Sequence, residues 1–331
     1  MKTSGGLDPA HMPALPAQGL VIEKPHGQGL MLVGLNGKVY GRLSVFSFNR
    51  DTTRSDGLFS QLQDATDVVV VDREGQWYEL GGSPTTLKPL ARPELALMNG
   101  YDLVAHVNNR GWLRTSLERG GKVVLRDISS LLPGGTLVKG TSQDDFVVID
   151  LKSGDRWLLS ETCIPIAERN HRLLAVCPKN EPGNDVYLRV SVTTIGAHGS
   201  SELAPVRLFK GTQGIGGGLL SPDGNHVLVN ARPGCGVGSA YFLSTRSGTG
   251  KPVLSTSDQK FKGFESESLG WSASGQAVIR LLRSPNCEAP GPADVYLTNP
   301  TTLAQKFVYR VPSKSSQVEM WNPALATLPA S

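Results

Sequence analysis

Apolar residues recur in this chain with a period of two, in short runs separated by turns rich in Gly and Pro. The pattern is clearest between Gly216 and Leu254, where it predicts four short strands. We place these strands at residues 218–220, 227–230, 240–244 and 252–254. The first two are joined by the turn Ser-Pro-Asp-Gly at 221–224, because Pro presets φ and Gly accepts a positive φ. Four strands joined in this way predict one antiparallel sheet.

The same pattern recurs along the chain. It is repeated at 269–309, and a first copy covers 29–43. Further copies, some clear only in their second halves, lie at 67–80, 112–125, 145–159 and 163–209. Four-stranded units that repeat roughly every 40–50 residues are typical of β-propeller blades. The sequence therefore predicts an all-β fold, a single β-propeller of seven blades with four antiparallel strands each, with six blades as the alternative.

Two of these copies carry a family resemblance. LLSPDGNHVLVNA at 219–231 and LGWSASGQAVIRLL at 269–282 resemble the motif of TolB-like, WD-repeat-like β-propellers. In that motif an apolar strand, Ser-Pro-Asp-Gly and a second apolar strand recur in each blade. The Gly-His and Trp-Asp dipeptides of true WD repeats are missing. The resemblance implies a propeller, and its families include secreted and periplasmic scaffolds and the non-catalytic domains of some peptidases.

The ends of the chain suggest its domain organisation. Residues 1–12 lack apolar periodicity and end in His-Met, as a cloning site does, so we expect a disordered expression leader there. The propeller is expected at 13–321, with the alternating residues 317–321 supplying a strand that the first hairpin lacks. Residues 322–331, rich in Pro and Ala, are expected to form a frayed C-terminal tail. We also expect that an export or anchoring segment once preceded Pro13, the alternative being a cytosolic domain from a longer chain.

Composition narrows the range of partners. The 331 residues carry a net charge of +4, and aromatic residues make up 6%. The sequence has no run of five Lys or Arg residues and no row of aromatic residues for stacking, so we predict no nucleic-acid partner. Because no apolar stretch approaches about 18 residues, we predict no membrane span in this chain. We expect a monomer.

The four cysteines favour an exported protein. Cys163 and Cys177 flank a predicted hairpin whose turn is at 168–171, and they face each other in an antiparallel register. Cys235 and Cys287 occupy the same place in consecutive repeats, in the connection between the second and third strands. Two disulfides, Cys163–Cys177 and Cys235–Cys287, are therefore predicted. The alternatives are zinc binding or free thiols, but zinc ligands usually come as close pairs such as CxxC, and the sequence has none.

Patterns typical of catalysis are weak in this sequence. There is no GxSxG elbow. The histidines are isolated along the chain, at His11, His26, His106, His171, His198 and His226. Asp residues recur at the predicted starts of third strands, at Asp67, Asp145, Asp185 and Asp294. These Asp residues could form a ring of carboxylates around a channel, but we prefer the interpretation that they accept hydrogen bonds from nearby backbone N–H groups.

The glycine-rich run GIGGG at 214–218 precedes a strand and not a helix, so it predicts close backbone approach and not a phosphate site. We predict no catalytic residue, metal or cofactor.

The connections between second and third strands, at 178–184, 232–239 and 283–293, are expected on one face of the propeller. Loops on a rigid scaffold are suited to recognition. The candidate binding residues there are Lys179, Asn180, Glu181, Arg232, Arg283, Asn286 and Glu288. The first function hypothesis is an exported, non-catalytic binding or scaffold module that recognises a protein or cell-surface ligand through these loops. The second is a hydrolase or lyase with its site in the central channel.

Overall fold

A computed structural model describes most of the chain. The described residues are 13–25, 28–44, 46, 48, 68–72, 76–90, 94–107, 113–131, 137–180, 187–196, 201–203, 207–210, 214–232, 239–247, 250–254, 264–283, 292–312 and 317–324. The predicted leader at 1–12 lies outside these ranges, as does most of the predicted tail. Three tail residues, 322–324, are described, and they are hydrogen-bonded to the domain.

Within those ranges the chain forms 27 β-strands and a 3-10 turn at Met98–Gly100. The strands are β1 Gly19–Glu23, β2 Leu30–Gly34, β3 Val39–Leu43, β4 Val68–Val71, β5 Trp77–Gly81, β6 Thr86–Leu90, β7 Glu94–Ala96, β8 Tyr101–Val107, β9 Leu113–Arg119, β10 Lys122–Leu131, β11 Leu137–Ser142, β12 Asp145–Asp150, β13 Arg156–Leu158, β14 Ile164–Arg169, β15 Arg172–Asn180, β16 Tyr187–Gly196, β17 Ser201–Leu203, β18 Arg207–Lys210, β19 Gly214–Leu220, β20 His226–Arg232, β21 Ser239–Ser244, β22 Gly250–Pro252, β23 Phe264–Trp271, β24 Ala277–Arg283, β25 Ala293–Thr298, β26 Gln305–Val311 and β27 Val318–Trp321.

Antiparallel pairing groups these strands into six sheets across the described residues. Their strand orders are β27-β1-β2-β3 (sheet 1), β4-β5-β6 (sheet 2), β13-β12-β11-β10-β9-β8-β7 (sheet 3), β14-β15-β16-β17 with β18 also on β16 (sheet 4), β19-β20-β21-β22 (sheet 5) and β23-β24-β25-β26 (sheet 6). In sheets 1, 4, 5 and 6 the strand at the start of this order contacts the neighbouring sheets, as β14 does with β19 and β23 does with β27. We therefore take it as the inner strand, with each following strand further out.

The burial of each strand explains whether its sequence is apolar throughout or mixes polar and apolar residues. Every residue of β1 and β2 is buried, because neighbouring sheets cover both faces of a strand in the middle of a blade. Their sequences, GLVIE and LMLVG, are correspondingly apolar throughout. The outer strand β26 is partly exposed and mixes polar with apolar residues. Strand position within a sheet thus determines whether the sequence is continuously apolar or mixed.

The Ser-Pro-Asp-Gly turn is held by its own serine. The Oγ of Ser221, which is 1% exposed, accepts a hydrogen bond from His226 N at 2.9 Å, and Gly224 N donates to Ser221 O at 2.8 Å. The equivalent Ser272 accepts from Gln276 N at 3.0 Å. A buried hydroxyl therefore satisfies the backbone amide at or just before the start of the second strand in both repeats, which explains why serine begins the motif.

The C-terminal strand closes the ring, as predicted. β27 pairs antiparallel with β1, and Leu20 lies opposite Met320. Gly19 lies opposite Trp321, and a Cβ at Gly19 would overlap the indole ring. Trp321 is fully buried and donates from Nε1 to Pro16 O at 3.2 Å. One sheet is therefore built from both ends of the chain.

The buried apolar clusters lie between sheets. Five of the six found in the described part join sheets 6 and 1, 1 and 2, 3 and 4, 4 and 5, and 5 and 6. The sixth lies within sheet 3 and joins Leu103 and Leu117 of its first half to Val138 and Ile149 of its second. Consecutive antiparallel sheets packed face to face, with both termini in one sheet, form a β-propeller. The protein is therefore an all-β propeller, as the sequence predicted.

The number of blades stays a prediction. Sheet 3 has seven strands, because the long strand β10 pairs with β9 at one end and with β11 at the other, across an irregularity between Arg126 and Ser130. Asp127 has a φ of 45° at this irregularity. If the two halves of sheet 3 are counted separately, the described units number seven, and if they are counted together they number six.

All four strands of the first predicted sheet are present, with different bounds. β19 begins four residues earlier than predicted and contains an irregularity between Gly216 and Gly218. A Cβ at Gly218 would overlap Ile166 of the preceding sheet. This contact confirms that the glycine-rich run permits close approach of neighbouring sheets. β22 ends at Pro252 and not at Leu254.

Candidate functional site

Neighbouring sheets 5, 6 and 1 run their inner strands in the same direction. Ser268 N of β23 donates to Asn230 Oδ1 of β20 at 3.0 Å, and Asn230 lies opposite Gly216, near the beginning of β19. Further along both strands, Trp271 Nε1 donates to Leu219 O at 3.1 Å. On the other side, Gly270 approaches Met320 of β27. The second strands β1, β20 and β24 therefore end on one face of the propeller, and β15 has the same place in sheet 4. We call this the upper face.

Four of the predicted binding residues lie at the upper ends of second strands. Lys179 and Asn180 end β15, Arg232 ends β20 and Arg283 ends β24. They are strand residues and not loop residues, since the described strands extend further than the sequence predicted. Glu181, Asn286 and Glu288 lie outside the described residues. Lys179, Arg232 and Arg283 thus lie at or near the ends of second strands in three consecutive sheets, although Lys179 lies three residues beyond the last pair of β15 with β14.

A group of charged residues lies below this face, on the inner strands of sheets 6 and 1 and on the second strand of sheet 6. Glu267 of β23 is opposite Arg280 of β24, whose Nη1 donates to Glu267 Oε2 at 3.2 Å. The Arg280 side chain is 5% exposed. Glu319 of β27 interacts electrostatically with both, and its Oε1 accepts from Gln317 Nε2 at 2.9 Å. The Arg280 guanidinium therefore pairs with Glu267, and the charges of both residues act on Glu319 where the first and last sheets meet.

The surroundings of Glu319 disfavour its charge. Burial raises the pKa of this carboxyl most, and the Glu267 carboxylate raises it further, while the Gln317 hydrogen bond and Arg280 oppose the shift. Glu319 is nevertheless the exposed position of β27, between the buried Val318 and Met320. An inner strand that faces a narrow channel is expected to carry such side chains, which are exposed to solvent and also close to the neighbouring strands.

Sequence reasoning missed this group. Glu267 and Glu319 are far apart in sequence, and only the ring closure between β27 and β1 brings them together. The one available indication was the repeated acid of β23, FESESLGW, where Glu265 and Glu267 recur with a period of two. That alternation marks one side of an inner strand as polar, which is unusual for an otherwise apolar interior.

The disulfide predicted between Cys163 and Cys177 is present, with a Cα–Cα distance of 4.2 Å. Lys139 Nζ of sheet 3 donates to Cys163 O at 2.9 Å and to Glu161 O at 2.7 Å. Burial lowers the pKa of Lys139, and Glu161 opposes that shift. The lysine thus ties sheet 3 to the start of sheet 4. Cys235 and Cys287 lie outside the described residues, and their disulfide stays a prediction.

The histidines in turns behave differently from one another. His171 is 80% exposed, and its Nδ1 lies 2.9 Å from Asp155 Oδ2 of sheet 3. This hydrogen bond, followed by the charge of Asp155, raises the pKa of His171. His226 is half-buried and burial lowers its pKa. His171 is thus solvated, and it also pairs with a turn of the neighbouring sheet. His106 lies in β8, and His11, His26 and His198 lie outside the described residues.

The recurring aspartates do not form a carboxylate ring in the part of the chain that the structure describes. Asp294 lies on the third strand of sheet 6, where Arg310 of the outer strand donates to it from Nε at 2.9 Å and from Nη2 at 3.1 Å. Asp145 begins β12 opposite Ser142. Asp67 and Asp185 lie outside the described residues. The contact that the structure shows for Asp294 is thus an ion pair with the Arg310 side chain, and the backbone hydrogen bonds that we preferred stay a prediction.

No group of three or more His, Cys, Asp or Glu side chains in the described ranges is arranged to hold a metal ion. No helix in the same ranges has the length and apolar character needed to cross a bilayer.

Comparisons with known proteins give structural likenesses. No family model matches the sequence, and no curated protein matches it. TolB from Acinetobacter baumannii is 13% identical with a TM-score of 0.42, over 93% of this chain and 83% of that one. The β-propeller domain of the Trilobed protease from Pyrococcus furiosus is 11% identical with a TM-score of 0.42, over 88% and 84%. An oligogalacturonate lyase in complex with manganese is 10% identical with a TM-score of 0.39, over 77% and 66%. These proteins include a lyase and a protease domain as well as TolB, so they do not distinguish a binding module from an enzyme.

Proposed function

We propose that this protein is an exported, non-catalytic β-propeller that binds a protein or cell-surface ligand with its upper face. The observation that carries the proposal is the placement of Lys179, Arg232 and Arg283 at the upper ends of second strands in three consecutive sheets. All three residues are basic. Complementary charge favours association, so the expected ligand is acidic.

Export is supported by the disulfide. Disulfides persist in oxidising compartments and are rare in the cytosol. Cys163 and Cys177 are both buried, 6% and 8% exposed, between sheets 3 and 4. Their bond is thus part of the packed fold, and the folding of this protein takes place in a compartment that allows its formation. We place the protein outside the cytosol, secreted, periplasmic or extracellular, as a monomer without a cofactor.

Site-specific photo-crosslinking in cells that export the protein tests the proposed face. A photoreactive amino acid replaces Lys179, Arg232 or Arg283 in three separate variants. The matched controls carry it at the exposed turn positions Asp223 and Ser274 of the opposite face. We expect a discrete crosslinked adduct from the three upper-face variants only. Adducts from the control positions alone, or none from the upper face, would overturn the proposal.

A second candidate is a carbohydrate- or lactone-active hydrolase or lyase with its site in the central channel. The observation that favours it is the raised pKa of Glu319 beside Glu267 and Arg280, since carboxyl pairs with shifted pKa values are common in active sites. Glucono-lactone hydrolysis and cleavage of polygalacturonate are the assays. Turnover that is lost in Glu319→Gln would support the enzyme, and absence of turnover in the native protein on both substrates would leave binding as the proposed function.

A further inference from the structure

We propose that residues 15–18 act as a releasable strap on the lower face, which couples sheet 6 to sheet 2 so that loosening one end of the strap loosens the other. The lower face is the one opposite the upper face, where the turns of Ser221 and Ser272 precede the second strands. This coupling concerns the ring itself and does not rest on the ligand proposed above. Residues 13–18 precede β1 and belong to no strand. The strap can therefore leave its place without any strand being unpaired.

One end of the strap is attached to sheet 6 through the side chain of Gln18, which is half-buried. Its Oε1 accepts a hydrogen bond from Ala273 N at 2.8 Å, in the turn between β23 and β24. Its Nε2 donates to Trp271 O at 3.4 Å and to Asn322 O at 2.7 Å. This side chain thus joins the strap both to the last sheet and to the residue that follows β27.

The other end of the strap is attached to sheets 1 and 2. Thr85, in the turn between β5 and β6, has Pro16 O as the nearest acceptor of its Oγ1, at 3.2 Å. Trp321 Nε1 donates to the same carbonyl oxygen at 3.2 Å. Thr85 is 8% exposed and Trp321 is fully buried, so packing holds both donors in place. Leu15 adds an apolar contact, because it packs against the cluster between these two sheets.

The two ends of the strap share one residue, Asn322. Its backbone O accepts from Gln18 Nε2. Its side-chain Nδ2 donates to Ala17 O, to Gly82 O and to Thr85 Oγ1. A bond lost at one end therefore removes a restraint on a group that the other end uses.

Sheets 6 and 2 have no packed core of their own in the described part of the chain. Sheet 1 lies between them, with one apolar cluster towards sheet 6 and another towards sheet 2. The strap and the residues just after β27 therefore bridge two sheets that do not share a cluster. Coupling between separated sites requires an element with two states that both sites bias, and a strap that is either docked or released is such an element.

Hydrogen exchange with mass spectrometry on the full chain tests the coupling. The two reporters are the peptide that contains Gly82, in sheet 2, and the peptide that contains Ala273, in sheet 6. Gln18→Ala removes bonds at the sheet 6 end, and Thr85→Val removes a hydroxyl at the sheet 2 end while keeping the size of the side chain. We expect exchange to rise in both reporters in each variant. At the end that was not changed the rise should be roughly two- to tenfold, as the loss of about one hydrogen bond would give.

Leu15→Ala distinguishes the strap from a role of Asn322 alone. It weakens the docking of the strap on sheets 1 and 2 and leaves every hydrogen-bonding group in place, so it should raise exchange in both reporters. The matched control is Leu158→Ala, which shortens a leucine of β13 in sheet 3 that is 63% exposed. This control should change neither reporter.

A rise confined to the changed end in Gln18→Ala or in Thr85→Val would overturn the proposal, because the two ends would then be independent. Unchanged reporters in Leu15→Ala would overturn it as well, and so would a rise in Leu158→Ala. A rise of equal size in the peptides of sheet 4 would show that the whole domain had loosened and not the strap, and this result would also contradict the coupling.

Discussion

Replacing Asn322 tests whether the closure of the ring holds the fold together. The side chain lies just beyond β27 and connects three parts of the chain. Its Nδ2 donates to Ala17 O and Gly82 O at 2.9 Å and to Thr85 Oγ1 at 3.1 Å. Its Oδ1 accepts from Gly82 N at 3.1 Å. One amide thus joins the N-terminal segment, the C-terminal strand and the turn between β5 and β6.

The cost of losing this side chain can be worked from its bonds. Nδ2 has two hydrogens and three acceptors, so we count two donated bonds and one accepted bond. At about 0.5–1.5 kcal/mol each, Asn322→Ala loses roughly 1.5–4.5 kcal/mol of stability. Asn322 also has a φ of 46°, where a residue with a Cβ pays about 1–2 kcal/mol, and Asn tolerates this region better than Ala. We expect Asn322→Ala to cost about 3–5 kcal/mol in the free energy of unfolding.

Urea denaturation followed by tryptophan fluorescence measures the change, since Trp321 is the preceding residue. Asn322→Gly has no side chain but tolerates a positive φ, so it should be less damaging than Asn322→Ala by about 1 kcal/mol. Asn36→Ala is the control, because its hydrogen bonds to Lys38 N and Tyr40 lie within one exposed turn. It should cost no more than about 1 kcal/mol. If Asn322→Ala is no more damaging than Asn36→Ala, the closure does not depend on this amide.

Three further outcomes are expected. Replacing Cys163 and Cys177, 14 residues apart, with Ser should lower the free energy of unfolding by about 3 kcal/mol in urea denaturation. Loss of the predicted Cys235–Cys287 bond should cost more, because it closes a longer loop. Peptide mapping without reduction tests both pairs, and a link between Cys163 and Cys235 would contradict both assignments. In proton NMR titrations the pKa of His171 should lie above 6.5 and that of His226 below it. The pKa of His171 should return towards 6.5 in Asp155→Asn. The pair stabilises the fold while Asp155 is ionised and His171 is protonated, and that contribution is lost as the pH rises through the raised pKa of His171. Gly19→Ala should destabilise the fold by about 1–3 kcal/mol, because the new methyl group overlaps Trp321, whereas an unchanged melting temperature would show that the indole can move.

Local patterns were enough to predict the class of fold and the closing strand. Period-two runs and Ser-Pro-Asp-Gly turns depend on neighbours in sequence, and β20, β21 and β24 formed where they indicated. The joining of two repeats through β10 was not predictable, because it depends on how Asp127 and its neighbours turn between β9 and β11. The number of units seen in the structure depends on that one irregularity.

The candidate sites also divide into those that the sequence could predict and those that it could not. The Cys163–Cys177 bond could be predicted, because both residues belong to one hairpin and a register fixes their distance. The Glu267–Arg280–Glu319 group could not, since its members meet only after the ring has closed. Likewise the Asp155–His171 pair joins turns of adjacent sheets. Contacts between sheets depend on how far each blade is rotated against the next, and no pattern within one repeat contains that information.

The two faces of the propeller differ in what a ligand would have to displace. On the face of the Ser-Pro-Asp-Gly turns, polar groups already bind one another: Asp223 accepts hydrogen bonds from Ser221 Oγ at 2.5 Å and Asn225 Nδ2 at 2.9 Å. A ligand there would have to replace satisfied bonds, for little net gain. On the upper face, the second strands of three consecutive sheets carry the basic residues Lys179, Arg232 and Arg283 at or near their ends, so an acidic ligand would meet complementary charge there. Favourable binding energy is therefore expected on the upper face, which is the reason for testing that face first.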